Sequence, residues 1–248
     1  MMRYKLTIAY DGTGFAGFQI QPRDRTVQGE LEKSLKTMTK GINDKVHGSG
    51  RTDSGVHALG QVVHYDYPGK LSEKAMFNAM NTLLPDDIVV QKVERVDSNF
   101  HSRFSAKEKT YIYRLYNGKT RNPFTRAYAY WHPYPLDITR LREALTYIEG
   151  EYDFTSFAST KDPIENKVRS IYEARVDYDY EKQEFIFLFR GNGFLYNMIR
   201  VLMGTLIEIG DGRREPKEMQ RLLEVKDRNQ AGPTASPLGL YLKSVAYY

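Results

Sequence analysis

Patterns along this sequence predict an α+β fold arranged as two successive halves. Stretches in which apolar and polar residues alternate are interspersed with stretches in which apolar residues fall at helical spacing behind a capping residue. The mixture starts afresh near residues 104–109, which divides the chain into domains 1–105 and 106–248. No low-complexity segment or long linker breaks the pattern, and 248 residues with 41% hydrophobic content supply ample core.

In the first half, Tyr4, Leu6, Ile8 and Tyr10 alternate with polar or small neighbours, which predicts a strand ended by Asp11-Gly12-Thr13-Gly14. Thr26 is placed to cap a helix carrying Val27, Leu31, Leu35 and Met38 on one face. A short strand is expected around Val46 and another from Gly60 to Tyr67. Ser72 caps a second helix that reaches Leu84 and stops at Pro85, and Ile88 to Val96 reads as a strand. In the second half, Thr110 to Asn117 is a strand, and Asp137 caps a helix with Ile138, Leu141, Leu145 and Ile148, closed by Gly150. Lys167 to Asp179 and Glu184 to Arg190 pair as strands. Asn192 to Ile209 is a strongly apolar helix, Pro216 opens an amphipathic one, and Leu240 to Tyr247 ends the chain as a strand.

Composition excludes several classes. With no cysteine there are no disulfides or thiolate ligands, and five scattered histidines lack ligand spacing, so no metal is expected. Met1-Met2-Arg3 runs straight into a strand pattern without a signal peptide, and the apolar segment 194–209 contains Arg200 and Glu208 and is too short for a bilayer. These features point to a cytoplasmic protein away from membranes.

Candidate chemistry centres on Gly48-Ser49-Gly50-Arg51-Thr52-Asp53-Ser54-Gly55-Val56-His57-Ala58. A loop with three glycines can aim one carboxylate, Asp53, into a cleft, although the same residues suit a tight turn with a solvated aspartate. The Gly50–Gly55 spacing is that of a phosphate loop, but Val56-His57 stand where lysine and serine or threonine are needed. Asp53-Ser54-Gly55 matches the triplet of aspartic proteases. That chemistry needs two carboxylates sharing a proton, and no second triplet occurs.

Charge is uneven. The net charge is +5, yet Arg103, Lys107, Lys109, Arg114, Lys119, Arg121 and Arg126 face only Glu108 between residues 103 and 126, a local excess of +6. Tyr111, Tyr113 and Tyr116 are interleaved with these cations, a pattern that suits RNA with exposed bases and equally a strand with an aromatic core face and a basic solvated one. In the apolar segment 192–209, Gly193, Asn197, Arg200 and Gly204 form a stripe on which small neighbours leave room for the guanidinium. A buried arginine needs a carboxylate, and the spacing does not name it.

Several segments together resemble the tRNA pseudouridine synthase A family: YDGTGFAGFQIQ (10–21), TVQGELEKSL (26–35), GSGRTDSGVHALGQVVHY (48–65), NFHSRFSAKEKTYIYRLYN (99–117), DFTSF (153–157), GNGFLYNMIRVLMGTL (191–206), VKDR (225–228) and GLYL (239–242). They occur in the family's order over nearly the whole length, and Val225 in place of an alanine is the one departure. The resemblance implies two ferredoxin-like halves with joined sheets and a central catalytic cleft, acting without a cofactor as a homodimer on tRNA. The implied reaction isomerises uridine to pseudouridine at positions 38, 39 and 40 of the anticodon stem-loop. Asp53 matches the catalytic aspartate, preceded by Arg51 in the motif. Tyr111 matches the tyrosine that stacks on the target base, and Arg200 the basic residue paired with the aspartate. Leu240 or Leu242 would line the uracil pocket, while the charge pattern makes Arg103, Lys109, Arg114 and Arg121 the expected RNA contacts. An inactive RNA-binding relative of the same fold would keep the basic tyrosine strand without needing Asp53.

Overall fold

The computed structural model describes residues 1–42 and 45–248. The chain packs as two compact units, Met1–Lys107 with Tyr241–Tyr248, and Glu108–Leu240.

In the first unit, strand β1 (Met2–Tyr10) leads to helix α1 (Val27–Thr39), short strand β2 (His47–Gly48), strand β3 (His57–Tyr67), helix α2 (Glu73–Leu83) and strand β4 (Ile88–Val96). β1 lies between β3 and β4, antiparallel to both, with Leu6 opposite Val63 and Val93. Alternation along β1 puts Tyr4, Leu6 and Ile8 on the buried side, where they join Val27, Leu31 and Leu35 of α1 and Met76 and Met80 of α2 in the apolar core. The expected caps form: Thr26 Oγ1 accepts from Gly29 N at 3.2 Å, and Ser72 Oγ from Ala75 N at 3.1 Å. A register shift against β3 between Ile8 and Tyr10 bends the end of β1 into segment 11–18, which matters for the site.

The second unit begins with β5 (Glu108–Tyr116) and β6 (Tyr130–Trp131), followed by α3 (Ile138–Thr146), β7 (Gly150–Asp153), β8 (Val168–Asp179), β9 (Glu184–Gly191), α4 (Met198–Gly210) and α5 (Glu218–Val225). Its main strands run antiparallel in the order β5-β9-β8-β7, and β6 adds a short parallel pairing at Leu115 and Tyr116. Tyr113, Leu115, Phe185, Phe187 and Phe189 from the sheet, with Val201, Leu202 and Leu206 from α4, are buried in its core.

Several boundaries differ from the sequence expectation, among them the start of β3 at His57 where the sequence points to Gly60. The helix expected from Asn192 starts only at Met198, because Asn197 has φ of 61°, a left-handed conformation that a right-handed helix cannot include. Helix α3 ends at Thr146, and Gly150, with φ of 121°, opens β7 instead of closing the helix. The last strand, β10 (Leu240–Ala246), falls by sequence in the C-terminal half, but its residues from Tyr241 onward pack with the first unit. They do so because β10 runs parallel to β3, with Tyr241 opposite His57 and Leu242 opposite Ala58.

Candidate active site

Asp53 sits half-buried on the segment between β2 and β3, and segment 11–18 shapes that loop. Phe18 N donates to Thr52 O at 3.0 Å, Gly55 N to Phe15 O at 3.4 Å, and Ser54 Oγ to the same Phe15 carbonyl at 3.2 Å. Val56 N closes a turn on Asp53 O at 3.1 Å. That turn needs Gly55, whose φ is 77°. Gly17, with φ of 108°, lets the two segments touch, since a Cβ there would lie 2.8 Å from Thr52 O. The buried amide of Gln61 holds the other shoulder, accepting from Ser49 Oγ at 2.6 Å and donating to Gly50 O at 2.9 Å. Tyr10, at the bent end of β1, hydrogen-bonds Thr52 Oγ1 at 2.8 Å, and burial pushes its phenol up to about 12. The loop is therefore held from the flanking elements inward. Arg51 is exposed, two residues away along the same loop.

His57 flanks the Asp53 loop, and the sequence alone assigns it no task. Its ring is buried, stacks on Tyr241 with centroids 4.6 Å apart, and its Nδ1 accepts from Gly12 N at 3.0 Å. It thus ties the start of segment 11–18 to the end of the Asp53 motif. The one signal for it is its place inside that motif, four residues after Asp53.

In the second unit, Tyr111 and Tyr113 lie two residues apart on β5 and so share a face. Tyr113 has no exposure and donates its hydroxyl to Ser236 O at 2.9 Å, whereas Tyr111 keeps 9% exposure and meets Phe194 edge-on at 5.2 Å. Arg200 comes to the same neighbourhood. Its Nε donates to Ala235 O at 2.8 Å and its Nη1 to Asn197 Oδ1 at 3.0 Å, while Ala235 N donates back to Arg200 O at 2.9 Å. Arg200 and Tyr113 thus bind consecutive carbonyls, of Ala235 and Ser236. The small-residue stripe has a different composition and purpose from the expected one. Gly193 lies outside α4, and Gly204 admits the Pro233 carbonyl, which a Cβ would displace. The left-handed Asn197, which no periodicity reveals, orients Arg200.

Similarity to known proteins decides which family this arrangement belongs to. A family model described as tRNA pseudouridine synthase matches residues 6–105 and 144–248. The chain is 56% identical over 245 residues to "tRNA pseudouridine synthase A" of Latilactobacillus sakei subsp. sakei (strain 23K), covering 99% of this chain and 98% of that protein. It is 56% identical over 247 residues to the protein of that name in Lacticaseibacillus casei (strain BL23), covering both completely, and 52% identical to that of Geobacillus kaustophilus (strain HTA426), covering 99% and 94%. The chain belongs to the tRNA pseudouridine synthase family.

For a tRNA pseudouridine synthase, the basic residues are of interest, and their surroundings separate them. Arg114 points away from the Tyr111 face and makes a bidentate pair with Glu184, Nε to Oε2 and Nη2 to Oε1 both at 2.9 Å. Glu184 is 1% exposed, so Arg114 matches a buried carboxylate. Lys109 lies on the Tyr111 face of β5 by strand alternation. Arg121 is exposed, with its guanidinium 4.7 Å from the Trp131 ring, and exposed Arg103 lies near Phe104. Of the two closing leucines, Leu242 has no exposed surface and Leu240 retains 5%. Among the described residues no group of histidine, aspartate or glutamate is arranged to hold a metal.

Proposed function

We propose that this protein isomerises uridine to pseudouridine at positions 38, 39 and 40 of the tRNA anticodon stem-loop, with Asp53 as the reacting carboxylate. The observation that carries this reading is the full-length 56% identity to proteins named tRNA pseudouridine synthase A, with the Asp53 motif intact. The reaction breaks the bond between uracil N1 and the sugar, turns the base, and joins its C5 to the same sugar carbon. The proton lost from C5 is balanced by one gained at N1, so nothing is oxidised or hydrolysed and the chemistry calls for no cofactor. A carboxylate can act at the sugar as nucleophile or as base, and both roles need Asp53 ionised. A base must also leave its stack to be turned, which asks for an aromatic surface, and Tyr111 retains one. Arg200, Arg51 and one of Leu240 and Leu242 serve the same bound uridine, while Arg103, Lys109 and Arg121 contact the RNA backbone. The protein acts as a homodimer in the cytoplasm. None of the helices among the described residues is long and apolar enough to cross a membrane.

The test is direct. Purified protein is incubated with an unmodified tRNA transcript, and pseudouridine is located by mass-labelling and fragment analysis. Label at positions 38 to 40 is expected, and a transcript that stays free of pseudouridine would refute the reading.

A further inference from the structure

The connection between β5 and β6 carries an aromatic ring that stands out in water. Phe124 is 88% exposed at the tip of this loop. The loop is not loose: Phe124 N donates to Asn122 Oδ1 at 2.9 Å, Tyr128 N and Ala129 N donate to Thr125 O at 2.8 and 3.0 Å, and Arg126 donates to Pro123 O. Its base is clamped as well, by Asn117 Nδ2 donating to His132 O and Tyr134 O at 2.8 Å each, and by Trp131 Nε1 donating to Gly118 O at 3.0 Å. Internal bonds therefore hold the ring where an apolar side chain gains nothing for the fold. The same connection carries Lys119, Arg121 and Arg126, all exposed, and no carboxylate occurs in the sequence between Glu108 and Asp137. A second copy of this loop would meet it with the same charge, whereas RNA offers phosphates to the cations and flat faces to the ring.

We infer that Phe124 stacks on a base of the bound tRNA, with Lys119, Arg121 and Arg126 on the neighbouring phosphates, as a contact separate from the Asp53 loop. The inference rests on the proposed action on tRNA. It is tested by binding to unreacted full-length tRNA transcript, so the result stands apart from whether uridine is isomerised. Phe124→Ala should raise Kd about 5- to 150-fold, the range set by removing one base–aromatic stack. It should leave thermal stability and the salt dependence of binding unchanged, because the ring is exposed and no charge is removed. Phe124→Trp should bind like the native protein, and Phe124→Leu should lose nearly as much as Phe124→Ala, since leucine is apolar without a stacking face. Replacing Arg121 and Arg126 by glutamine should instead flatten the salt dependence. Native affinity in Phe124→Ala, or full affinity in Phe124→Leu, would overturn the assignment to stacking. A change in oligomeric state in Phe124→Ala would overturn it in favour of a protein contact.

Discussion

At the scale of single residues, the surroundings of Arg114 set an expectation for its removal. Arg114 and Lys109 both belong to the basic run, but Arg114 neutralises a carboxylate that is almost fully buried. Arg114→Met should therefore lower stability more than it lowers tRNA affinity, because it leaves Glu184 buried without its cation. The loss is bounded by the roughly 3–5 kcal/mol typical of a broken buried pair. It should be smaller here, on the order of 1–3 kcal/mol, since the Arg114 side chain is 28% exposed. Adding Glu184→Leu should restore part of it, and thermal melts of the single and double variants measure both effects. Losses that simply add would show that the pair does not matter. Tyr111 and Tyr113 make a second contrast. Tyr113→Phe leaves Ser236 O without its donor and should cost about 1 kcal/mol of stability. Tyr111→Ala should keep the fold while weakening productive substrate binding, and Tyr111→Phe should bind tRNA normally because it retains the ring. If Tyr113 variants lose activity at native stability, the stacking role belongs to Tyr113 instead.

At the scale of elements, what can be read in the sequence is what local chemistry decides. Caps at Thr26, Ser72 and Asp137 and the periodicities of β1, β4 and β8 act within a few residues, and those elements begin where expected. The late start of α4 is hidden because Phe194 and Leu195 are as apolar as the helix that follows, although Phe194 packs on Tyr111 from a loop. The two-residue strand β6 and the pairing of β10 with β3 are long-range choices that no local pattern announces. Asp53 and its glycines are legible as a motif. The anchoring by Gly17, Gln61 and His57 is not, because it joins residues distant along the chain or depends on a close backbone approach. A histidine group built across elements gives a prediction of the same kind. His47 of β2 stacks on His64 of β3 with centroids 4.9 Å apart, and His101 meets His64 at 4.6 Å. Buried His64 is held down to about 4 by burial first, then by the neighbouring histidines and Arg3, outweighing the opposite pull of Asp66. His101 is lowered in the same sense, mainly by burial. Between about 4 and the unfolded value near 6.5 the folded state binds fewer protons than the unfolded one. Stability is therefore fully present above pH ~6.5 and falls as pH drops toward ~4, by at most about 3 kcal/mol from His64. Melting temperature against pH should be flatter over this window in His64→Asn. An unchanged slope would remove His64 from the acid response.

At the scale of the whole molecule, the proposed RNA contacts set an expectation for the salt dependence of binding. Neutralising Arg103, Lys109 and Arg121 together should weaken tRNA binding similarly across tRNA sequences, and should reduce the slope of log K against log salt by up to ~0.9 for each phosphate that the variant no longer neutralises. The same measurement on Arg114→Gln should leave the slope close to native, since its charge is already matched by Glu184. Equal slopes in the native protein and the triple variant would mean that RNA binds elsewhere.

The claim on which the rest depends is that the Asp53 carboxylate does the chemistry. Asp53→Asn keeps the size and shape of the side chain on a loop held by its backbone and by Gln61. Single-turnover conversion of an unmodified tRNA transcript, with the variant in excess at a concentration that saturates binding, isolates that carboxylate from folding and affinity. The expected result is native-like tRNA binding with no pseudouridine formed. Measurable turnover by Asp53→Asn would contradict it.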